Sequence, residues 1–528
     1  MIKIGISLLF KTLLFSLLML GISFRGNTQT FARGTVYYDK NENGNKNRSE
    51  PGISNIAVSN GEEVVLTDSS GEYKLQVAED DIIFIIKPSS YKLSDLQNEE
   101  SRFYYIHKPA GSPNAKYPGV KPTGRLPKSI DFGLVKQDES KDFTALIFGD
   151  PQPRNREELS FFEKSIIQDI DKSSDVAFGI SLGDLVWNDL ELFEPYQKAI
   201  DKLGIRWYDV MGNHDMNLDA KSDQLSDETF EAHFGPSSYS YNYGKSHFII
   251  LDDMLFPDPR DTKGYWGGFT PKQLKFIEND LKHVPKDYLI VLAFHIPISE
   301  PEGDSFRDED REKLFELLKE FPHTLSLSAH THIQRQDLFD IENGWKGQGI
   351  HHHYNVGTTC GDWNSGEIVN GAPAAEMRDG TPKGYAFLKI NGNEYSIDYK
   401  VAGEPKEYQI RLFAPKVMAQ NVTSKAGMYA NFFMGSQRDE VQYRIDDGEW
   451  NSMRYVEDYD PTYANMVYDW DLSETLINGR RPSNPIESKH LWYGNLPTKL
   501  EAGVHKIEVK ATDMFGQIHT AKSSYRLE

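Results

Sequence analysis

Five short polar clusters in this chain carry side chains that could do chemistry: Asp150 with Gln152, Asp184, Asn213 with His214 and Asp215, His295, and His330 with His332. Each closely follows an apolar or strand-like run, namely Phe143 to Phe148, Val176 to Leu182, Trp207 to Met211, Tyr288 to Phe294 and Thr324 to Ser328. Open α/β sheets hold their functional groups at strand ends. Carboxylates, carboxamides and imidazoles gathered there would offer oxygen and nitrogen donors to divalent ions such as Mn, Fe or Zn. Taken singly, each has a plainer reading: Asp184 after Gly183 as a turn residue, His295 as a core or capping group, His330-Thr331-His332 as a polar turn. Their joint occurrence at successive strand ends favours a metal site. Cys360 is the only cysteine, so thiolate clusters and intramolecular disulfides are both excluded.

The elements that must position these clusters fall into segments. At 528 residues the chain exceeds what one core usually supports. Residues 1–30 read as an export signal, with Lys3 and Lys11, an apolar core from Thr12 to Phe24 and a polar stretch from Arg25 to Thr30. The uninterrupted apolar run is shorter than the ~20 residues a bilayer demands, so no transmembrane segment is expected once the signal is removed. Export, with one cysteine, suits a bacterial periplasm or cell surface. Residues 31–136 carry short β-branched runs between turns and suggest a small β-sandwich. Residues 142–357 mix buried strands with helices, expected over Glu157 to Ile170, Leu190 to Leu203, Thr270 to His283 and Asp308 to Glu320, and read as an α/β domain. Residues 358–528 return to strand-like runs, including a hairpin across Asn391-Gly392-Asn393, and suggest a second β-sandwich. A net charge of −21 disfavours a nucleic-acid duplex or an anionic membrane surface as partner. Nothing in the sequence addresses oligomeric state.

The series Gly149-Asp150-Pro151-Gln152, Gly183-Asp184, Gly212-Asn213-His214-Asp215, Phe294-His295 and Ala329-His330-Thr331-His332 resembles the motifs of the calcineurin-like metallophosphoesterases, as does Tyr265-Trp266-Gly267-Gly268 before a helix. The resemblance covers about Phe143 to Gly357. It implies a multidomain α/β protein whose central domain is a four-layer α/β/β/α sandwich, flanked by N- and C-terminal β domains as in exported bacterial members. It also implies a binuclear centre. Asp150, Gln152, Asp184 and His332 would surround the first ion; Asp184 would bridge to a second held by Asn213, His295 and His330. His214 would act as general acid, with Asp215 orienting its ring. The reaction implied is hydrolysis of a phosphate ester on a small substrate, by in-line attack of a hydroxide bridging the two ions. A phosphodiesterase of nucleotides or lipid head groups, and an inactive surface binding protein, are the alternatives.

The chain departs from the family pattern at Gln152, where histidine is common, and at Ala329, where glycine is common. A harder amide ligand tilts the first site toward Mn or Mg, so Mn is the favoured ion. The arginine pair that protein phosphatases carry after the second motif is missing from Leu185 to Asp189, which disfavours a phosphoprotein substrate. Arg154, Asn188 and Trp363 are candidate substrate contacts, against surface, helix-capping and loop roles. His351-His352-His353 reads as a sheet edge beside the site before it reads as a third metal site. Asp39, Asn41, Asn43, Asn45 and Glu50, with Gly44 at the turn, have the spacing of a 12-residue calcium loop, or of an ordinary hairpin turn.

Overall fold

The structure is a computed structural model that describes residues 29–94, 103–171, 175–299 and 305–528. The expected leader, except Gln29 and Thr30, lies outside these residues. Among the described residues no helix is long and apolar enough to cross a membrane.

The centre is built on two sheets. In the first, Arg206–Val210, Phe178–Leu182 and Asp142–Phe148 run parallel in that order. The second runs Tyr239–Tyr243, Ser246–Ile250, Leu289–Ala293, Thr324–Ser328, His351–Asn355 and Arg335–Phe339. The parallel strands FGISL and LIVLA are buried at every position, the mark of strands covered on both faces. Phe143 and Phe178 of the first sheet meet Tyr243 and Phe248 of the second at ring separations of 4.5 to 6.4 Å, which seals the two sheets face to face. Helices Arg156–Phe162 and Phe193–Ile200 cover the outer side of the first sheet, Phe162 lying edge-on to Phe148 at 5.8 Å. Helices Pro271–Leu281 and Asp308–Leu318 cover the second, where Phe315 meets Phe339 at 5.3 Å.

Local sequence explains where these helices begin. Asn155 accepts from the N–H groups of Glu157 and Glu158, so the chain turns into a helix directly after the Asp150–Arg154 segment. Thr270 and Gln273 form a reciprocal capping box, with Pro271 at the first helical position. The helix expected to run on to Ile170 instead widens after Phe162 into a π-turn, Glu163–Ile167, which buries Ile166 and Ile167.

Three expectations are corrected. The hairpin Gly384–Asn391 and Glu394–Val401 is not part of a separate C-terminal unit: its first strand pairs antiparallel with Asp142–Phe148, so a boundary at residue 357 cuts through the central sheet. The His351 to His353 run is not an edge, because its strand is flanked on both sides. The C-terminal region also carries a helix, Pro461–Leu472, started by Asp460 accepting from Tyr463 N–H.

On the N-terminal side two four-stranded sheets form, one containing Thr30–Tyr38 and Phe132–Lys136 and the other Ala57–Ser59 and Asp81–Ile85. Beyond Val401 a four-stranded and a five-stranded sheet form, the latter led by the hairpin Gly503–Thr512 and Ile518–Leu527.

Candidate metal centre

The parallel strands of both sheets end at one rim, and the five clusters meet there. Asp184 lies at their middle. Its Oδ2 accepts from Gln152 Nε2 at 2.6 Å and its Oδ1 from the backbone N–H of His214 at 2.8 Å, while His295 Nε2 stands 3.4 Å from Oδ1. His295 Nε2 is also 3.1 Å from Asn213 Oδ1 and 3.1 Å from His330 Nδ1. On the other side of Asp184, His332 Nε2 is 3.3 Å from Asp150 Oδ2. The donor atoms of Asp184, His295 and His330 all lie within 4.8 Å of one another. All seven expected ligands are thereby brought together.

Backbone carbonyls set the imidazole tautomers. His295 Nδ1 is 2.7 Å from the carbonyl of Leu182 and His332 Nδ1 is 2.6 Å from that of Gly361. A carbonyl only accepts, so each ring carries a proton on Nδ1 and aims Nε2 inward, the nitrogen that an ion would take in place of any proton there. The turns bearing these groups are strained: φ is 34° at Asp150, 43° at Gln152, 50° at Asp184, 66° at His330 and 52° at His332. Left-handed backbone at non-glycine residues costs roughly 1 kcal/mol or more each, and such strain gathers at functional sites. Gly212 is required by space, since a Cβ there would stand 2.4 Å from Asp184 Oδ1.

The electrostatics call for positive charge. Burial, reinforced by the charge of Asp184, pushes the Asp150 carboxyl up to about 8. Its Oδ2 is buried without a hydrogen-bond partner. Burial opposes charge on His295, but Asp184 and then Asp150 outweigh it and raise the ring to about 10. His330 and His332 are driven the other way, by burial first, to about 3 and about 4, and so present neutral imidazoles of the form an ion would take. An orphaned carboxylate oxygen, facing imidazole nitrogens and a shared carboxylate fit divalent ions at this place. Gln152 turns its amide nitrogen toward Asp184; the amide would present its oxygen to an ion there.

Two expected roles change. Asp215 does not orient His214. Its buried carboxylate accepts the N–H groups of Gly212 at 2.9 Å, Leu185 at 3.0 Å and Val186 at 3.1 Å, tying two ligand-bearing turns together. The ring is held by Asn188, whose Oδ1 lies 2.9 Å from His214 Nδ1. Asn188 is not a helix cap, since Asp189 and Leu192 hold the cap positions that follow it. Trp187 stacks on His214 at 4.2 Å, and Trp363 lies 4.5 Å from the ring of His332 and edge-on to Trp187 at 6.2 Å. The guanidinium of Arg154 sits over Trp187 at 4.5 Å.

Sequence reading missed a second set of residues. Asp253 accepts the N–H groups of His295 and Ile296 at 3.1 and 2.8 Å and so fixes that ligand's backbone. Asn355 Nδ2 donates 2.7 Å bonds to Thr331 Oγ1 and to the Ile333 carbonyl, clamping the turn that bears His330 and His332. Asn355 ends a buried ladder in which Ser326 and Ser328 alternate with His351 and His353 at 2.7 to 2.9 Å. That ladder is what the histidine run does; it is not a third metal site. Alternation along strand 351–355 was legible, but its partner strand was not.

The calcium-loop residues form a closed turn. Asp39 accepts from Asn43 and Gly44 N–H and from Ser94 Oγ, Glu50 accepts from Lys40 and Asn47 N–H, and the Asn43 and Asn45 side chains bond within the loop. Asn41 Oδ1 accepts from Asn43 N–H.

Residues 143–334 match the model of the calcineurin-like phosphoesterase domain, residues 40–119 the model of its N-terminal region and residues 353–519 that of its C-terminal region. Among solved structures, the chain is similar to a purple acid phosphatase, PPD1, from yellow lupin (Lupinus luteus) seeds, at 14% identity over 67% of this chain and 69% of that one, TM-score 0.36. It is similar to GAP50, the anchor in the inner membrane complex of Plasmodium, at 15% identity over 50% and 85%, TM-score 0.31. A third likeness is to Vps29 of Chaetomium thermophilum, at 8% identity over 73% and 98%, TM-score 0.22. No curated protein matches the chain.

Proposed function

The chain belongs to the calcineurin-like phosphoesterase family and is a hydrolase of phosphoric ester bonds, and we propose that it is an exported enzyme with a dinuclear metal centre acting on a small phosphorylated substrate. The observation that carries this is the position of Asp184, whose two carboxylate oxygens face Gln152 on one side and His295 on the other while Asp150 keeps a buried oxygen unpartnered. Asp150, Gln152, Asp184 and His332 would hold one ion, and Asp184, Asn213, His295 and His330 the other. Bound there, two divalent ions would neutralise the phosphoryl oxygens and make an attacking water acidic enough to ionise near neutral pH. Mn is the favoured ion, since an amide oxygen at Gln152 replaces a softer imidazole.

The protein's own groups do the rest. Asn188 accepts a hydrogen bond from His214 Nδ1–H, so the ring takes up its second proton on Nε2 and, as an imidazolium, gives that proton to the departing alkoxide and returns to the neutral Nδ1–H form. Trp187 holds the ring flat by stacking, and with Trp363 it walls the mouth of the site against water. The flanking sheets are read as β-sandwiches, supported by the alternating burial of strands Glu72–Val77 and Gly503–Thr512. Export is supported by the leader composition, and the loop from Asp39 to Glu50 is read as a structural calcium loop on its donor spacing. A rise in melting temperature of the full chain at millimolar calcium supports that loop assignment, and an unchanged value contradicts it.

The test of the enzyme is turnover of an aryl phosphate and a bis-aryl phosphate by purified, Mn-supplied protein, with Asp184→Asn and His214→Ala as controls. Turnover that both substitutions abolish supports the assignment; turnover that survives both refutes it.

A further inference from the structure

Arg154 carries a guanidinium that no carboxylate among the described residues pairs with directly. Among the described residues its guanidinium has no ion pair and no hydrogen bond; its positive charge rests over the Trp187 ring at 4.5 Å. Glu158, one helical turn on, feels the Arg154 charge, but its carboxylate accepts Arg154's own backbone N–H at 2.8 Å and makes no ion pair with the guanidinium. The residue is half-buried and lies two positions after Gln152, in the segment between strand Asp142–Phe148 and the helix capped by Asn155. Trp187 in turn stacks on His214 at 4.2 Å, so the guanidinium is one aromatic ring away from the group that faces the leaving oxygen. In a chain with a net charge of −21, a guanidinium left unpaired beside a site for anions has a use.

We propose that Arg154 is a specificity-determining residue that grips the outer oxygens of a terminal phosphate and makes the enzyme select phosphomonoester dianions over diesters. This rests on the reading of the site as a phosphoesterase. A monoester carries three non-bridging oxygens and two charges. The centre faces only part of that charge, and a planar guanidinium takes two oxygens in a fork that suits it. In a diester one of those oxygens bears a second organic group, which removes a charge and blocks the fork. The indole beneath Arg154 holds the guanidinium plane and lowers the rotamer freedom lost on binding.

The test uses the Mn-supplied full chain with 4-nitrophenyl phosphate and bis(4-nitrophenyl) phosphate, which share one leaving group and differ only at the phosphate. The native enzyme prefers the monoester. Arg154→Met lowers kcat/KM for the monoester about 10- to 100-fold, mainly through KM, and changes the diester by less than about 3-fold. Arg154→Lys recovers part of the monoester loss. Binding of inorganic phosphate, followed by calorimetry, weakens by about 10-fold or more in Arg154→Met. Equal losses on both esters, no loss on either, or a native preference for the diester overturns the proposal. If the native protein hydrolyses neither ester, the phosphoesterase reading fails separately. The calorimetry then still decides Arg154, because unchanged phosphate binding in the variant refutes the grip.

Discussion

The carboxamide oxygen of Asn188 lies 2.9 Å from Nδ1 of His214, and this single bond leaves Nε2, 4.0 Å from Asp184 Oδ2, as the ring nitrogen turned toward the cluster of candidate ligands. An amide oxygen can only accept, so the ring proton is pinned on Nδ1. Asn188→Leu is expected to lower kcat by about 10- to 100-fold with little change in KM or in melting temperature, because the ring keeps its stacking on Trp187 but loses its orientation. Steady-state kinetics beside a thermal melt check both halves.

Asp215 is expected to behave in the opposite way. Its three bonds join the turn after Leu182 to the turn after Val210. Asp215→Ala strands three buried N–H donors, at about 1 to 3 kcal/mol each before relaxation, so the loss appears in the melting temperature ahead of any change in mechanism. Denaturant unfolding of the variant provides the measurement.

Asn355→Leu is expected to weaken Mn binding without unfolding the protein. The clamp on Thr331 and Ile333 keeps the turn of His330 and His332 in its left-handed backbone, and an apolar side chain of similar size removes it. Loss of such outer support commonly costs about 10- to 100-fold in metal affinity. Metal titration of the chelator-treated protein reads this directly.

Lys383 supplies a pH dependence away from the site chemistry. It is 7% exposed, donates one bond to the Pro373 carbonyl at 2.7 Å, and is pushed by burial down to about 8. The unfolded chain keeps that proton up to about 10.5. Between these values the unfolded state binds more protons, so this group lets stability rise with pH from about 8 to 10.5, and its penalty is full below 8. Lys383→Met is expected to remove that rise and to relieve a penalty of order 3 kcal/mol below pH 8. Urea midpoints across this pH range test it.

How much of this was written in the sequence depends on distance along the chain. The strands that lead into the five polar clusters were legible because each is a continuous apolar run that stops at a polar residue, and the capping residues Asn155 and Thr270 lie within three residues of what they cap. The placement of Gly384–Asn391 on the central sheet was not, because antiparallel pairing with Asp142–Phe148 joins segments more than two hundred residues apart and leaves no local mark. Asp215 misled for a related reason: adjacency to His214 suggested contact, yet the carboxylate turns inward to backbone N–H groups while Asn188, 26 residues earlier, reaches the ring. The Asp460-Pro461 start of the C-terminal helix was a readable signal that surrounding strand-like runs obscured.

The central claim is that Asp184 belongs to two metal sites at once. Metal analysis of the Mn-dialysed full chain, native and Asp184→Asn, tests it most directly. The account predicts about two ions per native chain and well under one in the variant, with the fold retained by circular dichroism. A variant that keeps the native metal content, or a native protein that binds no divalent ion at all, would contradict it.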